Sequence, residues 1–146
     1  MSDDPKDTFS SDPYQLASQI GFNLRRANQR HVAIFASHVD GVTPTQFAAL
    51  ARIFESKVVS QNKLGRLTAM DSATIKGVVE RLKTKGLVTS RPDDNDQRLR
   101  LIELTPAGID LFKTARAQAL IARQETVAPL NETEIAEFER LLAKLV

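Results

Sequence analysis

The sequence predicts a mainly α-helical domain that carries one small two-stranded β-ribbon in its second half. Apolar residues recur at spacings of three and four over most of the 146 residues, the period of helices that each bury one stripe. Thr-Pro pairs and Asn, Asp or Ser residues stand where those stripes begin, as helix caps do. Only between residues 87 and 104 does the period fall to two, on either side of a turn-rich Pro-Asp-Asp-Asn-Asp stretch. With 42% hydrophobic and 26% charged residues, and six Gly and six Pro, the composition is that of one globular domain able to bury its own core.

Along the chain, Pro5 and Pro13 among Asp and Ser suggest a loose leader. A helix is expected over Tyr14–Val39, with Leu16, Ile20, Leu24, Ala27, His31 and Ile34 as its stripe and Asp40-Gly41 as its end. Thr43-Pro44-Thr45-Gln46 supplies a capping box and a proline at the first helical position. The second helix therefore runs to about Ser56 with Phe47, Leu50, Ala51 and Phe54 inward, and a short third helix over 60–67 buries Leu64 and Leu67. Asp71 or Ser72 caps a fourth that is halted by Gly86; Ile75, Val78, Val79 and Leu82 pack, and Ser72, Thr74, Lys76, Gly77 and Glu80 stay free. Leu87–Arg91 and Leu99–Leu104 are the two strands of the ribbon. Thr105-Pro106 opens a fifth helix to about Ala128, with Leu111, Ala115, Ala119 and Ala122 inward. Asn131 with Glu134 opens a last one, whose Ile135, Phe138, Leu141, Leu142 and Leu145 form an apolar end that needs a partner surface.

The net charge of +2 is unevenly spread. Residues 1–20 hold one base and four acids, residues 21–59 five bases and two acids, and residues 60–100 nine bases and five acids. The last 46 residues carry five bases and seven acids, so positive charge gathers in the middle, where a polyanion would be met. Helix, short helix, capped helix and hairpin in that order make a helix-turn-helix followed by a β-wing. The fourth helix then suits a major groove about 12 Å wide, and the hairpin can straddle phosphates and set an arginine in the minor groove. Absence of cysteine excludes thiolate metal sites, disulfides and cysteine-based switching, and His31 and His38 are the only histidines. No phosphate-binding glycine loop, zinc-protease or nucleophile-elbow motif is present, so no enzymatic activity and no cofactor are expected. No apolar run approaches the roughly 20 residues of a membrane span, and acids stand where a signal peptide has bases; a cytoplasmic address is expected.

Leu82-Lys83-Thr84-Lys85-Gly86-Leu87-Val88, then Asp96-Gln97-Arg98, then Leu104-Thr105-Pro106-Ala107-Gly108 resemble the winged-helix signature of the MarR family of bacterial transcriptional regulators: D-x-R, five residues, L-T-x-x-G. The resemblance implies a homodimer in which helical segments 14–40 and 106–146 form the dimerisation region and 43–104 the DNA-binding lobe. Its twofold symmetry would match a pseudo-palindromic operator with half-sites about one turn apart. It further implies that Arg98 enters the minor groove and Asp96 orients it, beside Ser72, Thr74, Lys76, Gly77 and Arg81 of the fourth helix and Arg91 of the wing as DNA-binding residues. Asp93, Asp94 and Asp96 make the wing tip less positive than a pure phosphate clamp.

In that family effector pockets lie between dimerisation helices and DNA-binding lobe, and many effectors are anionic aromatic compounds. Arg25, Arg26, Arg30 and His31 are thus candidates to hold a carboxylate or thioester effector, with Phe22, Phe35, Phe47 and Phe54 as apolar walls. The regulator would be a repressor released when the effector binds. The alternative is a winged-helix protein-interaction module without sequence-specific DNA binding.

Overall fold

A computed structural model describes residues 13–146, and the expected leader around Pro5 lies outside them. A single 3-10 turn at Leu16–Ser18 precedes α1 (Ile20–His38). Then follow α2 (Pro44–Ser56), β1 (Val58–Ser60), α3 (Gln61–Leu67), α4 (Ser72–Thr84), β2 (Val88–Pro92), β3 (Arg100–Leu104), α5 (Pro106–Thr126) and α6 (Glu132–Ala143). The first helix is shorter than expected: Gln19 is extended (φ −78°, ψ 130°) and separates the 3-10 turn from α1. Leu16 and Ile20 are four apart across that break, so apolar spacing could not reveal it.

Caps fix the other boundaries. Thr43 Oγ1 accepts from the Gln46 N–H at 3.3 Å while Gln46 Oε1 accepts from the Thr43 N–H at 3.2 Å, and Asn131 and Glu134 repeat this box at α6. Thr105 Oγ1 accepts from the Gly108 N–H at α5 and Ser60 Oγ from the Lys63 N–H at α3.

The core is built where α2, α4, the sheet and α5 meet. Leu50, Ile53, Leu64, Ile75, Val79, Leu82 and Ile102 are its largest fully enclosed side chains. Two expectations change here. The apolar face of α2 is turned so that Ala49, Leu50 and Ile53 are buried, while Phe47, Ala51 and Phe54 pack at its margin toward α5. The ribbon has a third strand: β1 pairs antiparallel with β3 (Val58↔Glu103 to Ser60↔Leu101), so β3 is central in the order β1-β3-β2. That pairing gives Ile102 strands on both flanks.

Helix α4 ends in a Schellman motif: the Gly86 N–H donates to Lys83 O at 2.9 Å and the Leu87 N–H to Leu82 O at 3.0 Å. Gly86 holds φ +73°, and an added Cβ there would meet nothing within 4 Å. Gly86→Ala is therefore expected to cost only the left-handed backbone penalty, about 1 kcal/mol, in urea unfolding. Immediately beyond, the chain presses on α5: the Thr105 N–H donates to Leu87 O at 3.1 Å, the Thr105 hydroxyl donates to Gly86 O at 2.6 Å, and Gly108 lies directly against the Leu87 carbonyl.

Much of the apolar surface at the chain's two ends is bare. Of the expected α1 stripe only Ile34 is buried; Leu16, Ile20 and Leu24 are exposed, Ile20 at 72%. In α6 nothing is buried, and Phe138, Leu141 and Leu142 face outward with Leu145 beyond them. Leu120 and Ile121 near the end of α5 are exposed as well. Among the described residues, no helix is long and apolar enough to cross a membrane.

Candidate nucleic-acid interface

Helix α4 buries Ile75, Val78, Val79 and Leu82 and leaves Ser72, Thr74, Lys76 and Arg81 exposed on its other side. Asp71, not Ser72, is the cap: its Oδ1 accepts from the Thr74 N–H at 2.7 Å. That bond, with the Thr74 hydroxyl adding to it, holds the Asp71 carboxyl below its ordinary pKa. Thr74 thus serves the cap, whereas Ser72, Lys76 and Arg81 have no side-chain hydrogen-bond partner among the described residues. The half-buried Gly77 leaves room for Arg81: an added Cβ there would stand 3.2 Å from Arg81 Nη1. The guanidinium accordingly lies along the free face of the helix.

Among the ion-paired cations of the described residues Arg98 is the most exposed. Its side chain is 90% exposed, yet Nε and Nη2 donate to the two Asp96 oxygens at 3.0 and 3.1 Å, and its own N–H donates to Asp96 Oδ1 at 3.1 Å. The Arg98 guanidinium holds the Asp96 carboxyl below the usual range, and Asp96 in turn raises the Arg98 pKa. Both groups are ionised near neutrality. Asp93 has another task, since its Oδ1 accepts from the Asn95 and Asp96 N–H groups at 2.7 and 3.1 Å and shapes the turn. Two of the three tip carboxylates therefore build and aim the wing, and only Asp94 is left as plain negative charge.

Further cations differ in how far they are engaged. Arg91 reaches Glu103 at 3.5 Å across β2 and β3, a loose surface pair. Lys83 stands 3.7 Å from Glu80, and Lys63 and Arg66 on α3 are exposed. Lys85 is exposed, but its ammonium is engaged within the chain, with Nζ donating to Gly41 O at 2.7 Å and to Gln46 Oε1 at 2.8 Å. Ser72, Lys76, Gly77, Arg81, Arg91, Asp96 and Arg98 thus sit on α4 and the wing, the two elements that a helix-turn-helix with a wing presents to duplex DNA.

The α1 cluster is not brought together in the same way. Arg25 is exposed and has no side-chain partner among the described residues, and Arg26 lies over the Phe22 ring at 5.7 Å. Arg30 donates to the Thr126 and Glu125 carbonyls at 2.6 and 3.1 Å, and His31 Nδ1 is 2.9 Å from the Thr126 hydroxyl. His38 pairs with the Glu125 carboxylate. Arg30 thereby closes two of the last carbonyls of α5, where cations are favoured, while His31 meets the Thr126 hydroxyl, which itself donates to Ala122 O at 2.8 Å. Phe35, Phe47, Phe112 and Phe54 form a continuous ladder with ring centroids 5.7, 5.6 and 4.8 Å apart, and Phe22 is not part of it.

Two arginines that the sequence did not single out lie beside this ladder. Arg116 stacks over Phe54 and Phe112 at 5.8 and 5.9 Å, and Arg123 pairs with Glu139 of α6. With Phe47, Ala117, Ala119 and the exposed Leu120 they line an open groove of about 400 Å³ along α5, bounded on the α2 side by Phe47. The available signal was the spacing of Arg116, four residues after Phe112 on one helix.

A sequence model described as the MarR family matches residues 42–99. The HTH-type transcriptional repressor NicR of Pseudomonas putida is 37% identical over 92% of this chain and 86% of its own length. A probable transcriptional regulator from Pseudomonas aeruginosa, known from its crystal structure, superposes with a TM-score of 0.87 at 48% identity, over 90% of this chain and all of its own. BpsR of Bordetella bronchiseptica, whose structure concerns regulation of DNA binding by 6-hydroxynicotinic acid, superposes with a TM-score of 0.86 at 37% identity, over 92% of this chain and 97% of its own.

Proposed function

The chain belongs to the MarR family of DNA-binding transcription regulators, and from that premise we propose that it acts as a homodimeric repressor released from a pseudo-palindromic operator by an anionic aromatic compound. The observation that carries the DNA-binding part is the exposed guanidinium of Arg98, aimed by both Asp96 oxygens, together with Ser72, Lys76 and Arg81 on α4, which have no side-chain hydrogen-bond partner among the described residues. In this reading α4 enters a major groove while Arg98 and Arg91 approach the adjacent minor groove and its phosphates. The dimer is supported by the bare apolar residues of segments 14–40 and 106–146, which two copies would cover mutually, while 43–104 forms the reading lobe.

For the effector, the groove along α5 beside Phe47 supports binding better than the α1 cluster does. Its apolar wall suits a ring, and Arg116, which has no acidic partner among the described residues, suits a carboxylate, while Arg123 would have to leave Glu139 to join it. BpsR responds to 6-hydroxynicotinic acid, a heteroaromatic carboxylate of the class this groove would take. Arg30 and His31, tied to the end of α5, would carry the effect of ligand binding rather than touch the ligand, and Arg25 and Arg26 would serve the dimer. Release then requires that the effector prefer the dimer shape whose two α4 helices are wrongly spaced; equal affinity for both shapes would shift nothing.

Retardation of a genomic fragment pool, followed by titration with 6-hydroxynicotinic acid, tests both parts. Salt-sensitive retardation is expected, with release on titration in the wild type and in Arg26→Ala but not in Arg116→Ala. No retarded species at low salt would favour a winged-helix protein-interaction module. Loss of the response in Arg26→Ala, with Arg116→Ala responding normally, would return the effector to α1.

A further inference from the structure

We infer that Lys85 is a positioning residue for DNA reading: it tethers the C-terminal end of α4 to the corner where the chain leaves α1 for the DNA-binding lobe, and it acts on DNA through α4 rather than by touching a phosphate. The inference rests on the DNA-binding role of α4 given above.

A lysine at the end of a basic helix would ordinarily be counted as a phosphate contact. Here its ammonium is engaged within the chain. It donates to Gly41 O, 44 residues away, and to Gln46 Oε1, 39 residues away. Gln46 is buried, 5% exposed, and the same Oε1 also accepts from the Thr43 N–H. One oxygen therefore joins the N-terminal cap of α2 to the C-terminal cap residue of α4. On the other side, Gly86 and Leu87, the next two residues, are bonded to Thr105 at the start of α5. The last turn of α4 is thus held from two directions, by the α1–α2 corner and by the α5 start.

The far end of the helix magnifies what happens there. Thirteen residues span about 20 Å, so a tilt of about 10° about the Lys85 end displaces Ser72 by about 3 Å. That is close to one base-pair step of about 3.4 Å, enough to spoil contacts made by Ser72 and Lys76. Removing the tether leaves no buried group stranded, because Gln46 Oε1 keeps the Thr43 N–H and Gly41 is exposed to water. The variant Lys85→Met should accordingly fold.

The test uses a duplex selected from a random-sequence pool by the wild-type protein, with unselected duplex as control, and measures affinity across a salt series. Lys85→Met is expected to bind the selected duplex about tenfold more weakly, with little change on unselected duplex and an unchanged slope of log affinity against log salt. Gln46→Met, which keeps every cation, should weaken selected binding in the same direction. The double variant should be no worse than the weaker single one. Lys85→Met that lowers the slope by about one per site and weakens both duplexes alike would make Lys85 a phosphate contact and overturn the tether. So would selected binding that neither single variant alters. Failure of the wild type itself to bind any duplex would instead overturn the DNA-binding reading.

Discussion

Replacing Arg98 by alanine is expected to weaken operator binding by about a hundredfold while leaving the folded protein as stable as before, because minor-groove arginines each contribute strongly and a twofold dimer loses two of them at once. The side chain is 90% exposed, and its polar partner is Asp96, so no packing is lost with it. Asp96 removes much of the entropy that a free arginine would lose on entering a groove, since both guanidinium bonds are already made. Asp96→Ala should therefore weaken binding too, by less than Arg98→Ala, even though it makes the wing more positive. Fluorescence anisotropy on a selected duplex at constant salt, with thermal unfolding as the control, reads both effects. Affinity of Arg98→Ala within twofold of the wild type would remove the wing from the interface.

Gly108→Ala is expected to be the most damaging small substitution for stability. A Cβ at this position would stand 2.0 Å from Leu87 O and 3.0 Å from its carbonyl carbon, both backbone atoms of a buried residue. No rotamer can relieve such a contact, so α5 must move off the segment leaving α4. That movement breaks the Thr105 N–H bond to Leu87 O. A loss of about 3 kcal/mol, or roughly 10 °C in Tm, is expected. Gly86→Ala, three times milder on the same scale, separates a backbone preference from a steric collision. If the two variants unfold at the same temperature, the close approach of α5 does not govern stability.

These two residues show why some of the fold was legible in the sequence and some was not. Caps are local, so Thr43, Thr105 and Asn131 could be read from four consecutive residues, and the α4 stripe of Ile75, Val78, Val79 and Leu82 is buried as its spacing requires. The L-T-x-x-G motif was visible as a resemblance, but its physical content, a hydroxyl on Gly86 O and a missing Cβ against Leu87, depends on a contact between segments some twenty residues apart. β1 escaped notice because three residues are too few to show a period and its partner lies more than forty residues later. Large phenylalanines drew attention to the wrong edge of α2, whose enclosed positions are Ala49, Leu50 and Ile53. Charge alone could not distinguish Lys76, which is free, from Lys85 and Arg30, which are bonded to distant backbone carbonyls. The same limit applies to the effector residues: a run of arginines on α1 is conspicuous, whereas Arg116 becomes interesting only once Phe54 and Phe112 are known to lie beneath it.

The clasp of Arg30 and His31 on the last turn of α5 joins groups 95 and 96 positions apart. During synthesis α1 leaves the ribosome first and waits for Thr126, for about 5 to 20 s at ordinary elongation rates. During that interval Ile34 and Phe35 lack α5, and the reading lobe is synthesised in full before α5 begins. The nascent chain consequently carries part of its apolar core uncovered until its last two helices have emerged.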